Sequence, residues 1–182
     1  MEKIHILDRD FSVSITNERI QESIKQVADK LNEDYKNRCP VFVCILNGAF
    51  MFAADLVRYL DFQPLITFAR FSSYQGTQTT GEVNEVLGVK EDLKGKDVVI
   101  IEDIVDTGIT MKKILPIFKE KGAASVEIAC LLRKPGKLEC DLDIKYCAMD
   151  IPDDFIVGYG LDYDGYGRNY GNIYTVVDDK DE

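Results

Sequence analysis

A chain of 182 residues, 46% hydrophobic and 30% charged, has the size and composition of one globular domain with a substantial core. Its net charge of −10, with no Lys/Arg cluster interleaved with aromatics, excludes a nucleic-acid backbone as the expected partner, because that binding draws on a basic face. No apolar run approaches a membrane span, and the opening MEKIHILDRD has no apolar export signal, so a cytoplasmic protein is expected.

Ile20, Ile24, Val27, Ala28 and Leu31 recur at helical spacing and predict an amphipathic helix over about 17–36. VFVCIL (41–46), after Pro40, reads as a short buried strand; Gly48 breaks it and FMFAADLVRYL continues as a helix. PLITFARF (64–71) is a further strand. The polar SSYQGTQTTGE then forms a long mobile loop that returns as a strand around 83–89. DVVII (97–101) is the central strand. Met111, Ile114, Leu115 and Phe118 mark the helix after it, with Gly122 as its stop and Pro116 as a kink. SVEIACLL (125–132) is the next strand, and IKYCAM, FIVGYG and IYTVV read as shorter ones.

Strand–helix alternation from 41 to 132 implies βαβ units. The expected fold is α/β: one domain over 1–182, a mostly parallel twisted sheet flanked by helices. Its core covers about 36–132, and the N-terminal segment and about 133–182 form a small irregular hood. Ligands of such sheets bind beyond the carboxyl ends of the strands.

The five cysteines show no CxxC spacing and read as free thiols, several of them buried. His5, the single histidine, has no partner in sequence, so serine or cysteine chemistry with an imidazole base is disfavoured. Any general base is expected to be a carboxylate.

Three carboxylates stand where the central strand stops: Glu102, Asp103 and Asp106 in EDIVDTGIT. The turn DTGIT exposes successive backbone N–H groups, Gly108 permits close approach of a ligand, and Thr107 and Thr110 add hydroxyls. Followed by a helix N-terminus, this forms a phosphate cradle, although GxxxxGK[ST] is absent. Glu102 and Asp103 are placed for ribose hydroxyls or the hydration shell of Mg²⁺, and Asp106 for accepting a proton. Taken alone, the cluster reads first as an acidic turn capping a helix.

The string EDIVDTGIT resembles the phosphoribosyl-diphosphate motif of the type I phosphoribosyltransferases, most nearly the hypoxanthine-guanine phosphoribosyltransferases. ILNGAFMFAADL, SSYQGTQTTGEV, LLRKP and IPDDFIVGYGLDYDGYGR resemble that family's other motifs, in the same order along nearly the whole chain. The resemblance implies transfer of a 5-phosphoribosyl group from phosphoribosyl diphosphate (PRPP) to N9 of hypoxanthine or guanine, giving IMP or GMP and pyrophosphate with Mg²⁺, in purine salvage. Asp106, Thr107, Gly108, Ile109 and Thr110 would wrap the 5′-phosphate, with Asp106 as the base that takes the purine N7 proton. Glu102 and Asp103 would meet the ribose hydroxyls and Mg²⁺. Leu46, Asn47 and Gly48, at a cis Leu46–Asn47 peptide, would hold pyrophosphate together with Arg168. Lys134 would donate to the purine 6-oxo group, Phe155 would stack on the ring, Ile156 would contribute backbone, and Asp162 would bind a second Mg²⁺. Ser73 and Tyr74 would belong to a closing lid.

Taken one at a time, Lys134 and Arg168 read as surface cations, Phe155 as core and Asp162 as a turn residue. Two positions depart from the family: Asn47 stands where lysine is usual, and Ile109 where lysine sometimes occurs. A homodimer or homotetramer is implied by the resemblance alone. The competing expectation is a nucleotide-sensing regulator without catalysis on the same fold, and another is an enzyme for a different base, such as xanthine.

Overall fold

The computed structural model describes residues 2–73 and 83–177. In chain order its elements are β1 (Lys3–Ile6), β2 (Arg9–Ile15), α1 (Asn17–Asp34), β3 (Val41–Leu46), α2 (Phe50–Val57), β4 (Leu65–Ser73) and β5 (Val83–Leu87). They continue with β6 (Asp97–Val105), α3 (Ile109–Glu120), β7 (Ser125–Arg133), β8 (Tyr146–Asp150), β9 (Ile156–Val157) and β10 (Ile173–Val176).

Six strands form the main sheet in the order β5-β4-β3-β6-β7-β8. Every pairing in it is parallel except β4–β5. Strand residues alternate between two packed faces, as a sheet covered on both sides requires. Phe42, Cys44, Val99, Ile101, Ala129 and Leu131 point to the layer made by α1 and α2. Val41, Val43, Ile45, Val98, Ile100 and Ile128 meet Met111, Ile114 and Phe118 of α3 on the opposite face. The expected α/β architecture is therefore the observed one.

Several boundaries differ from the sequence reading, each for a physical reason. β6 runs four residues beyond Ile101, so Glu102 and Asp103 are strand residues and not part of a turn. Pairing with β7 continues as far as Val105↔Arg133 and holds the acids in extended backbone. β8 joins the main sheet beside β7, so the sheet extends past 132 into the segment expected to be hood. The hood carries a four-stranded antiparallel sheet, β1-β2-β10-β9, in which the N-terminal hairpin supplies two strands that no apolar run announced. α3 continues through Pro116, which leaves the Lys112 carbonyl without its usual N–H partner.

α1 starts at Thr16, whose hydroxyl accepts the Arg19 N–H at 3.4 Å. All five cysteines are free, with Cys44 and Cys130 buried. His5 is exposed and hydrogen-bonds Asp10 at 2.7 Å. Among the described residues no helix is long and apolar enough to cross a membrane.

Candidate active site

The parallel strands deliver one group of side chains to their shared carboxyl edge, where an open α/β sheet binds ligands. β3 ends in Leu46–Asn47–Gly48, β6 in Glu102 to Val105, and β7 just before Lys134. The Leu46–Asn47 peptide is cis, as expected. A Cβ built on Gly48 would lie 1.6 Å from Asp103 Oδ2, and one built on Gly160 would lie 2.1 Å from the Gly48 carbonyl. The β3 loop, the β6 acids and the hood loop are therefore in mutual contact, and only glycine fits between them.

Glu102 is buried, and its Oε1 accepts the Asp103 N–H at 3.3 Å. Burial, and then the neighbouring Asp103 charge, pushes the Glu102 carboxyl well above the ordinary carboxylate range. Asp103 Oδ1 accepts the Ile104 N–H at 2.9 Å, leaving Oδ2 against Gly48. Two adjacent carboxylates, one of them costly to ionise, suit a hard divalent cation. Among the described residues no three Asp, Glu, His or Cys side chains converge on one point, so such a cation would complete its shell with substrate and water oxygens.

Past Val105 the chain turns through Asp106–Thr107 to Gly108, whose φ of 79° is a conformation glycine tolerates best. Gly108 caps α3 without a side-chain bond, and the Thr107 hydroxyl accepts the Ile109 N–H at 3.4 Å. The first-turn N–H groups of Thr110 and Met111 have no intrahelical acceptor. Glu102, Asp106, Thr107, Gly108 and Thr110 line a recess of about 190 Å³. Its amide-lined floor favours an anion. Ile109 is half exposed and brings no charge.

The two oxygens of Asp106 differ. Oδ2 pairs with Lys137 Nζ at 3.1 Å, while Oδ1 is buried without any hydrogen-bond partner. An unsatisfied buried carboxylate oxygen is rare and is built to accept a donor.

Lys134 is 7% exposed, in contrast to the surface cation it resembles in isolation. Its ammonium reaches Asp153 Oδ1 and the Asp154 carbonyl, both at 2.9 Å. Phe155 is 42% exposed and not core. Its ring stands edge-on to Tyr163 at 5.5 Å and tilted to Phe11 at 6.1 Å, with the Arg9 guanidinium 5.6 Å from its centre. An exposed aromatic held by neighbouring rings has the surface to stack on a flat ligand. Ile156 lies in β9, opposite Thr175. Asp162 holds Arg168 through Oδ1 at 2.7 Å and accepts the Gly165 N–H through Oδ2 at 2.7 Å. Arg168 also donates to the Gly160 carbonyl at 2.7 Å. Ser73 ends β4, and Tyr74 lies outside the described residues.

A larger groove, about 670 Å³, runs along the seam between the start of α1 and the end of β8. Arg19, Met149, Asp150, Asp154 and Ile156 line it, but none of the β6 acids do, so it is separate from the phosphate cradle. Lys137, Asp153 and Arg9 escaped the sequence reading. The spacing KPGK was the only signal for Lys137, since its partners come from distant segments.

An amide-lined recess after the central strand, acids on that strand and an exposed aromatic in the hood are features of a nucleotide- or sugar-phosphate-handling α/β protein. Residues 14–164 match the model of the phosphoribosyl transferase domain. The chain is 43% identical over 166 residues to a hypoxanthine-guanine phosphoribosyltransferase of Staphylococcus epidermidis, covering 91% of this chain and 93% of that protein. The solved hypoxanthine phosphoribosyltransferase of Staphylococcus aureus superposes with a TM-score of 0.86 at 41% identity, covering 91% of both chains. A hypoxanthine-guanine phosphoribosyltransferase of Bacillus anthracis superposes with a TM-score of 0.87 at 35% identity, covering 91% of this chain and 98% of that one. The chain belongs to the hypoxanthine-guanine phosphoribosyltransferase family.

Proposed function

We propose that this chain transfers the 5-phosphoribosyl group of PRPP to N9 of hypoxanthine or guanine. In that reaction the bond from C1′ to the pyrophosphate oxygen breaks, the N9–C1′ bond forms, and the purine N7 proton passes to Asp106. The single observation that carries the reading is Asp106 in the lining of the α3 recess, with its buried Oδ1 lacking any hydrogen-bond partner. It supports a proton-accepting role for Asp106 beside an anion cradle, which a purely sensing regulator would not need.

Thr107, Gly108, Ile109 and Thr110 would hold the 5′-phosphate through backbone N–H groups and hydroxyls, with the α3 N-terminus adding its dipole. Leu46–Asn47–Gly48 and Arg168 would hold pyrophosphate. The backbone there does not depend on a lysine at position 47. Lys134 would donate to the 6-oxo oxygen, which discriminates against a 6-amino base. Phe155 would stack on the ring, and the backbone of Ile156 would flank it. Glu102 and Asp103 would hold Mg²⁺ together with substrate oxygens. Asp162 would join a second ion by releasing one of its present partners. Bound there, Mg²⁺ supplies charge neutralisation of the leaving diphosphate.

Assembly into a homodimer or homotetramer belongs to the same proposal. It is supported by the exposed apolar side chains Ile66 and Phe68 on β4 and Val86 and Leu87 on β5. Light scattering on the purified chain tests this, and a monomer at micromolar concentration would refute it.

Incubation with PRPP, Mg²⁺ and each of hypoxanthine, guanine, xanthine and adenine tests the function. Nucleotide and pyrophosphate should form in equal amounts with the first two bases and not with adenine. No product from any base would overturn the reading.

A further inference from the structure

Between the proposed base and the proposed purine contact lies a chain of charges that the reaction scheme does not use. Lys137 Nζ is 3.1 Å from Asp106 Oδ2 and 3.1 Å from Asp153 Oδ1. Asp153 Oδ1 is in turn 2.9 Å from Lys134 Nζ. The order is therefore Asp106–Lys137–Asp153–Lys134, with charges alternating along it.

The backbone fixes this row in place. The Lys134 N–H donates to the Val105 carbonyl at 3.0 Å, and the Glu139 N–H to the Thr107 carbonyl at 3.0 Å. Residues 134–139 are thus sewn to the 105–107 turn on both sides of the 3₁₀ turn Pro135–Lys137. The main chain brings Lys137 beside Asp106, and its ion pairs hold the ammonium there.

Resting on the function proposed above, we infer that Lys137 is a positioning residue: by pairing with Asp106 Oδ2 it fixes the orientation of the carboxylate that takes the purine N7 proton. Asp153 is the tie that sets Lys137 and Lys134 at a fixed separation, so the base and the 6-oxo contact are aligned on one purine. The geometry gives two reasons. Oδ1 is buried without a hydrogen-bond partner, so among the described residues the pairing of Lys137 with Oδ2 is the side-chain contact that orients the Asp106 carboxylate. The three outer groups are partly exposed, and ion pairs of that kind contribute little to folding stability, so a purely structural role explains the row poorly. In support, Asp153 first and Asp106 second hold the Lys137 ammonium above its ordinary value, while Lys134 and then Lys137 hold the Asp153 carboxyl below its own.

Single-turnover nucleotide formation with PRPP, Mg²⁺ and hypoxanthine tests this, because it reads the transfer step without product release. Lys137→Met should lower that rate about tenfold, a fraction of the full effect of a general base, and leave KM for PRPP and the melting temperature nearly unchanged. Lys137→Arg should recover most of the rate, and Asp153→Asn should lower it less than Lys137→Met does. An unchanged rate in Lys137→Met overturns the inference. So does a raised KM for PRPP at constant rate, which would make Lys137 a phosphate contact, and so does a lowered melting temperature without rescue by arginine. An active wild type with any of these results leaves the proposed function standing; a wild type that makes no nucleotide overturns both.

Discussion

At the scale of single residues, Asp106 is the proposed base, and its two oxygens have different surroundings. Replacing it by Asn keeps the shape but removes the proton acceptor. Turnover should fall about 10²–10⁴-fold, the usual worth of a general base, while affinity for PRPP stays within about twofold. Isothermal titration with PRPP beside steady-state rates would separate the two, and the opposite split would remove Asp106 from the role of base. Lys134 makes its claim through burial. An ammonium that far from water is held by Asp153 and the Asp154 carbonyl, and a 6-oxo oxygen would be one more acceptor of the same kind. Lys134→Ala should raise KM for hypoxanthine about 10–100-fold, as loss of a charged hydrogen bond does, with a much smaller effect on PRPP. Cys44 is the contrasting case: burial first, then the Glu102 and Asp103 charges, pushes its thiol up to about 12, which disfavours the reactive thiolate near neutral pH.

At the scale of elements the site is a meeting of strand ends, and contacts without side chains decide its shape. The hood loop touches the β3 loop at Gly160, whose missing Cβ leaves room for the Gly48 carbonyl. Gly48 in turn leaves room for Asp103. A methyl group at Gly160 would push the Leu46–Gly48 segment away from β6, because its neighbour there is backbone and not a flexible side chain. Gly160→Ala should therefore raise KM for PRPP at least tenfold and lower the melting temperature, both from one displacement of about an ångström. Unchanged PRPP kinetics would show that the β3 loop is not a pyrophosphate contact. The extension of β6 through Val105 belongs to the same scale. Pairing with β7 keeps Glu102 and Asp103 on a rigid strand, where a metal or ribose site is held more precisely than on a turn.

For the whole molecule, one polar knot joins the first helix to the last strand of the main sheet. Asp34, at the end of α1, accepts from Tyr146 Oη at 2.6 Å and pairs with Lys145 at 2.9 Å. The Tyr146 bond first, and Lys145 second, hold the Asp34 carboxyl below its ordinary value of 3.8. A depressed carboxyl adds stability above the unfolded-state value and loses it as pH falls through the folded one. Tyr146→Phe should thus cost about 1 kcal/mol at pH 7, lowering the melting temperature by roughly 2–4 °C, and cost progressively less below pH 4. Calorimetry across that range checks it, and a cost that does not shrink in acid would mean that the hydroxyl acts other than through the Asp34 charge.

Local sequence was enough for the layered α/β core and for naming the candidate residues at the strand ends. The apolar runs VFVCIL, DVVII and SVEIACLL, alternating with helices, suit strands of a parallel sheet buried on both faces, and amide-rich turns such as DTGIT carry their anion affinity in their own backbone. Tertiary structure alone decided the rest. That Lys134 is buried, that Phe155 is exposed on an aromatic base, that Asp106 has one engaged and one unengaged oxygen, and that the N-terminal hairpin completes the hood all depend on partners tens of residues away. Periodicity reports which face of an element is apolar. Which charge is paired, and with whom, is set by the packing of segments that meet only in the folded chain.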